Sequence, residues 1–394
     1  MKKVLTFVLF ACLVISLCAC SNGNSTKKGS KTWVMTEAIT YDANGTVTNR
    51  MTLDEGSSSK ELHYTIYDGE GTVTSRWDEV YDDNGNQTAS KEYAADGTIE
   101  KRSEWVYDAN SKLLSGKQFV GENTPDGKFE YTYDANGNEL KYDSYNGNGI
   151  LIRHEENTYD ATGVKLSNKS ISYEDDGSVR YHHEETYDSN GNTLSSILYD
   201  ENGKISYHYE YSYDQKGKLT VESSYDEDGK LRFHTDYSYD DQGNLLKEET
   251  SSSSGFGWFY EYRNQYDSTG KLIKQQKYDD DGNMRGWTTY AYPDDSGAFE
   301  TTSYRADGTI EAFEAYDKDG EHTSWIRYEE DGTVSYQSQL ENTPAGIMPI
   351  IMRDADYWTE RSFDSNGNLS QQVEKDPKTG AISERTEYKY QEMN

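Results

Sequence analysis

The sequence predicts an all-β protein, an antiparallel repeat array of strand-turn units forming a long twisted or coiled sheet or a partial β-shell. Three observations carry that expectation. A Tyr-Asp pair, two small or polar residues and a Gly recur at Tyr187, Tyr199, Tyr213, Tyr225 and Tyr239, in steps of 12, 14, 12 and 14 residues. Between these points the residues alternate: Ile205, Tyr207, Tyr209, Tyr211 and Tyr213 share one face of an extended strand, and Ser206, His208, Glu210 and Ser212 take the other. The chain is only 33% hydrophobic, with a mean hydropathy of −1.01, yet 35 Tyr, 10 Phe and 7 Trp stand among its 394 residues. Aromatic rings supply the coverable surface that aliphatics do not, whereas disordered acidic chains are poor in them.

Residues 1–19 read as a secretion signal. Lys2 and Lys3 precede an apolar run from Val4 to Leu17 that is too short for a stable membrane span. The run ends Leu17-Cys18-Ala19-Cys20, which resembles the bacterial lipobox. The resemblance implies that Cys20 becomes the lipidated amino-terminal residue of a protein exported and anchored to the cell membrane, facing outside the cytoplasm. With Cys12 and Cys18 removed, Cys20 is the only cysteine left, which excludes an intramolecular disulfide. Residues 20–32, small, polar and slightly basic, read as a flexible tether. Loss of Lys2 and Lys3 takes the formal charge from −32 to −34. Such a charge argues against nucleic acid and anionic lipid surfaces as partners and suits cationic ones.

The repeat domain is expected over 33–394. Copies at Tyr41, Leu53, Tyr67, Tyr81, Tyr93 and Tyr107 open it, and Phe119 replaces one Tyr before the enlarged turn 120–127. Tyr133, Tyr145, Tyr159 and Tyr173 lead to the regular centre, and the series resumes at Tyr266 and runs to Tyr328. Each turn has a local cause. In Asp214-Gln215-Lys216-Gly217 the carboxylate can accept the turn's own amides, and the Gly can take positive φ. A type I turn closed by such a Gly joins antiparallel strands. Leu219 to Tyr225 and Ile205 to Tyr213 are even spacings, so the aliphatic after each turn and the next Tyr are expected on one face. At Leu140, Leu166 and Leu194 the Leu falls one place later, and a local bulge is expected there. The stretch at about 341–358, ENTPAGIMPIIMRDADYW, breaks the pattern. Pro344 and Pro349 predict an irregular insert rather than a regular strand.

With YEYSYDQKGKLT, TDYSYDDQGNLL and FEYTYDANGNEL on the page, the chain resembles the bacterial YD-repeat (RHS-repeat) family, whose units follow YxYDxxGxL. The resemblance spans nearly all of 36–390 apart from about 340–361. In that family the strands spiral into a hollow β-shell, which in toxin proteins encloses a toxic domain. Here the repeats run to the end of the sequence, and the Arg usual after the Gly is Lys, Asn or Thr. The resemblance therefore implies the shell-like fold more directly than toxin delivery.

Candidate chemistry is sparse. His154, His182, His208 and His234 occupy one repeat position, each with an acid two residues on: Glu156, Glu184, Glu210 and Asp236. Imidazole and carboxylate are ordinary metal ligands. Alternate strands lie about 10 Å apart, however, so two of these histidines cannot share an ion, and no metal site is assigned. Acidic turns such as Asp226-Glu227-Asp228-Gly229 and Asp279-Asp280-Asp281-Gly282 lack the later bidentate Glu of a calcium loop, so weak calcium binding is the most they support. No Gly-x-Ser-x-Gly elbow occurs, so no catalytic residue and no cofactor are assigned. Trp258, Trp287, Trp325 and Trp358 are candidate ligand-binding rings for stacking on sugars. The expected function is a cell-envelope lipoprotein acting as a non-catalytic binding or structural module for a protein or polysaccharide ligand. The alternative is a β-shell that encloses or chaperones another polypeptide, and a carbohydrate-active enzyme is a third reading.

Overall fold

The computed structural model describes residues 32–254, 257–343 and 346–393. The expected signal peptide, the lipidation site Cys20 and the tether up to residue 31 lie outside the described residues. The described chain is all β, 28 strands joined by short turns. It forms two compact units, one comprising the described residues up to Asp78 together with those from Thr288 onward, the other Glu79–Trp287.

The turns follow the predicted chemistry. Gly217 has φ 78°, its amide donates to the Asp214 carbonyl at 3.1 Å, and the Asp214 amide donates to the Lys218 carbonyl at 2.9 Å. The Asp214 carboxylate accepts from the amides of Lys216 and Lys218 at 2.8 and 2.9 Å. Where Asn follows the Gly, as at Asn138 and Asn192, its side chain donates to the second oxygen of Asp134 or Asp188. In the Asp-Gly-Thr turns, such as Asp96-Gly97-Thr98, the carboxylate instead accepts from the Thr98 amide and hydroxyl at 2.9 and 2.6 Å.

Three expectations need correction. An open coiled sheet or partial shell leaves its first and last strands as edges. Instead Thr32–Asp42 pairs antiparallel with Ile382–Met393, from Thr32 opposite Met393 to Asp42 opposite Glu384. The unit that holds both termini is thereby a continuous ladder. It runs from Phe299–Arg305 through Ile382–Met393 and Thr32–Asp42 to Glu61–Asp68. The physical reason is edge satisfaction, since a free terminal strand exposes a row of unpaired amides and carbonyls. Buried side chains support it: Val34, Met35, Ala38, Ile39, Met51, Leu62 and Ile66 cluster on the three amino-terminal strands, and Thr40 and Thr386 share a buried hydrogen bond of 3.0 Å.

The second correction concerns the faces. One apolar face and one polar face do not form, because the register shifts by one residue after each regular turn. Tyr213 stands opposite Leu219, but Ser212 stands opposite Val221, with Thr220 as the extra residue. The Thr220 hydroxyl donates to the Ser212 carbonyl at 3.0 Å, so Thr220 and Val221 both oppose Ser212 on its face. The even spacing from Leu219 to Tyr225 thus crosses a slip, and Tyr225 lands opposite His208 on the face away from Tyr213. Aromatic rings therefore occupy both faces, and the bulge expected at Leu140, Leu166 and Leu194 is general.

The stretch expected to be irregular is an extended hairpin. Val334–Thr343 pairs with Gly346–Arg353, Leu340 opposite Pro349, with a register shift at Gln339. Gly346–Arg353 meets Trp358–Phe363 only through Ile351 to Arg353. Pro349 thus lies beyond that second ladder and is paired on one side only. Pro344 lies outside the described residues.

Candidate functional site

Glu79–Trp287 carries the most regular repeats, and the register shift gives each of its faces a distinct chemistry. One face is a tyrosine stripe. On Ile205–Tyr213 the rings of Tyr207, Tyr209 and Tyr211 follow at 5.6 and 6.3 Å, and nearer the amino terminus Tyr131 packs against Phe129, Tyr133 and Tyr142 at 5.7, 6.0 and 4.8 Å. Burial, then the neighbouring Tyr142, pushes the Tyr131 phenol up to about 12. Burial and Glu222 push Tyr237 up to about 12.

The Tyr that ends four of the longer strands has a specific task. Pairing of Leu219–Tyr225 with Leu231–Tyr239 begins only at Val221 opposite Asp236, so the Leu219 carbonyl lacks a strand donor on that side. Tyr239 supplies one at 2.7 Å. The same bond, always 20 residues back, joins Tyr133 to Leu113, Tyr159 to Glu139 and Tyr213 to Thr193 at 2.9, 3.0 and 2.9 Å. Tyr187 departs from the series and donates to Glu185.

The other face holds the histidine position. His154, His182, His208 and His234 lie 3.3, 2.8, 3.6 and 3.4 Å from Glu156, Glu184, Glu210 and Asp236 on their own strands. His182 and His208 stack on Tyr199 and Tyr225 at 4.6 and 4.9 Å, and Tyr225 also donates to Glu210. His154 meets a second carboxylate, Asp143 at 2.7 Å, but Lys141 already lies 2.9 Å from that Asp. Among the described residues no group of three or more His, Cys, Asp or Glu is placed to hold a metal ion.

Trp258 is exposed beside Phe233 at 6.1 Å, and Lys274 lies 5.2 Å over Trp287. In the other unit Trp325 is exposed against Tyr336 at 5.0 Å. Trp358 is half-buried, with Arg353 and Lys375 over its ring at 4.2 and 4.8 Å, and its indole nitrogen is buried without a partner. Sequence reasoning missed a further row, the residue seven after each repeat Tyr. Its signal was present in the late Leu140, Leu166 and Leu194; Leu114 precedes them, and Leu246 and Ile273 take the position again beyond Thr220.

No family model matches this sequence, and no curated protein matches it. Among solved structures, the chain is similar to TcdB2-TccC3-TEV, at 13% identity over 88% of this chain and 24% of that one, with a TM-score of 0.20. It is similar to the Photorhabdus luminescens Tc holotoxin pore at 12% identity over 85% and 26%, TM-score 0.17. A porin-like protein from Bacteroides uniformis is covered to 95% by 67% of this chain, at 11% identity and a TM-score of 0.25. The chain spans about a quarter of the length of the two toxin structures. At such TM-scores the likenesses carry no argument about shape or activity.

Proposed function

We propose that the mature chain is a non-catalytic, lipid-anchored envelope protein whose repeat array encloses or chaperones another polypeptide. The observation that carries this reading is the pairing of Thr32–Asp42 with Ile382–Met393. A module that recruits partners by adding strands needs free edges. An array whose two ends satisfy each other has given up its terminal ones and works instead through its faces, here lined with Tyr, His and carboxylates. Anchoring at Cys20 follows from the lipobox and holds the array outside the cytoplasm.

A second reading, glycan binding, is favoured by the exposure of Trp258 and Trp325. Two experiments separate these. Purified protein incubated with a reduced, unfolded client should slow proteolysis of that client by at least about tenfold, whereas a polysaccharide pull-down should recover nothing. Equal digestion with and without the protein would overturn the chaperoning reading. Metabolic labelling with a fatty acid should mark the wild type and not Cys20→Ser, which should leave the membrane fraction.

A further inference from the structure

On the histidine face of Glu79–Trp287 an aliphatic row runs beside a carboxylate row. Leu140, Leu166 and Leu194 follow Tyr133, Tyr159 and Tyr187 by seven residues and are 37%, 37% and 40% exposed. Each is the extra residue of a register shift, the position that Thr220 fills in the next hairpin, and so lies on the face of Thr132, Thr158 or Thr186. Two residues before those threonines, on the same face, stand Glu130, Glu156 and Glu184, with Glu210 next in line. The carboxylates of Glu130, Glu156 and Glu210 are more than half exposed. Lys128 and Lys169 lie 2.9 and 3.5 Å from Glu130 and Glu184, while Glu156 and Glu210 have imidazoles beside them and Glu210 also accepts from Tyr225.

We propose that this double row docks a basic amphipathic helix with a large apolar residue at every seventh position. The pitch selects the helix. The three leucines sit on alternate strands, about 9.5 Å apart, and seven residues of helix advance about 10.5 Å. Three successive leucines, two heptads of helix, thus stay within about 2 Å of register over about four turns. An extended peptide laid along the row advances about 10 Å in three residues, an odd number, so its side chains alternate away from the row. The charge selects the sign: carboxylates lie one pleat, about 7 Å, from the leucines, within reach of Lys or Arg three or four positions from the apolar one. Leu114 holds the same position one repeat earlier but is less exposed, and Thr220 interrupts the row after the three exposed leucines.

This inference names the partner chemistry within the proposed polypeptide-holding function and rests on that reading. The test uses the full chain in detergent and fluorescence anisotropy of three synthetic peptides. The first carries Leu at every seventh position among Lys and Ala, the second has the same composition with Leu dispersed, and the third replaces Lys by Glu. The first should bind at least about tenfold tighter than either control and weaken with salt. The variant Leu140→Thr/Leu166→Thr/Leu194→Thr, which installs the residue already tolerated at 220, should lose at least about tenfold while keeping the wild-type circular dichroism. Equal binding of the dispersed peptide, or an unchanged triple variant, overturns the site. If the helix fails to bind while the unfolded client is still protected, the docking row falls and the broader function stands; loss of both refutes both.

Discussion

At Tyr133, Tyr159, Tyr213 and Tyr239 the hydroxyl, more than the ring, closes the gap left by a register shift, and removing it at these four positions tests this directly. Tyr133, Tyr159, Tyr213 and Tyr239 each donate to a carbonyl at the start of the preceding strand, at 2.7–3.0 Å. Tyr→Phe keeps the ring and deletes the donor, leaving a partly buried carbonyl with water as its only substitute. Each bond is worth about 1 kcal/mol. The four lie on separate hairpins without shared partners, so their effects should add to about 4 kcal/mol. The control is Tyr225→Phe, which removes a bond to a half-exposed Glu210 and should change stability by less than about 0.5 kcal/mol. Urea denaturation followed by circular dichroism reads both. If the quadruple variant unfolds at the same midpoint as Tyr225→Phe, the hydroxyls are incidental and the Tyr is retained only for its ring.

Other outcomes follow from the turns and the core. Ser111 has φ 65°, in the place every neighbouring turn gives to Gly. Ser111→Gly should therefore stabilise by about 0.5–1 kcal/mol, less the 3.0 Å bond its hydroxyl accepts from Asn86, and an unchanged or lower melting temperature would count against a strained turn. Hydrogen bonds from Asn138, Thr162 and Asn192 hold the carboxyls of Asp134, Asp160 and Asp188 below the usual aspartate range. A lowered folded value means stability present above about pH 4 and lost as pH falls through the folded values. The melting temperature should thus drop below pH 4 and hold from pH 5 to 7, and a flat profile down to pH 2 would refute it. Buried apolar side chains in the unit containing both termini include Val34, Ala38, Ile39, Met51, Ile66 and Leu369, against Leu272 in Glu79–Trp287. Amide hydrogen exchange should be slowest in Thr32–Asp42 and Glu61–Asp68. Equal protection across both units would show that aromatic stripes hold strands as well as an aliphatic core does.

What was legible in the sequence is what local chemistry decides. Asp214 and Gly217 make their turn with atoms of five consecutive residues, so the pattern alone placed the turns and the strands between them. The pairing of Thr32–Asp42 with Ile382–Met393 joins residues some 350 apart and leaves no periodic trace; only the unusually aliphatic Val34, Ala38, Ile39 and Leu62 hinted that the amino-terminal strands were covered. The face assignment failed for a sharper reason. Parity counts residues, but a register shift spends one residue without changing face, so Tyr213 and Tyr225 ended on opposite sides despite even spacing within each strand. Ring identity says nothing of a tryptophan's neighbours, so the approach of Arg353 and Lys375 to Trp358 had no trace in the pattern. The late leucines carried the missing information: a Leu one place beyond the expected position is the extra residue itself. A bulge that fixes the backbone also turns its surplus side chain outward. Repeated every second strand, it makes an exposed row that simple alternation would never produce, which ties the error in the faces to the row proposed for docking.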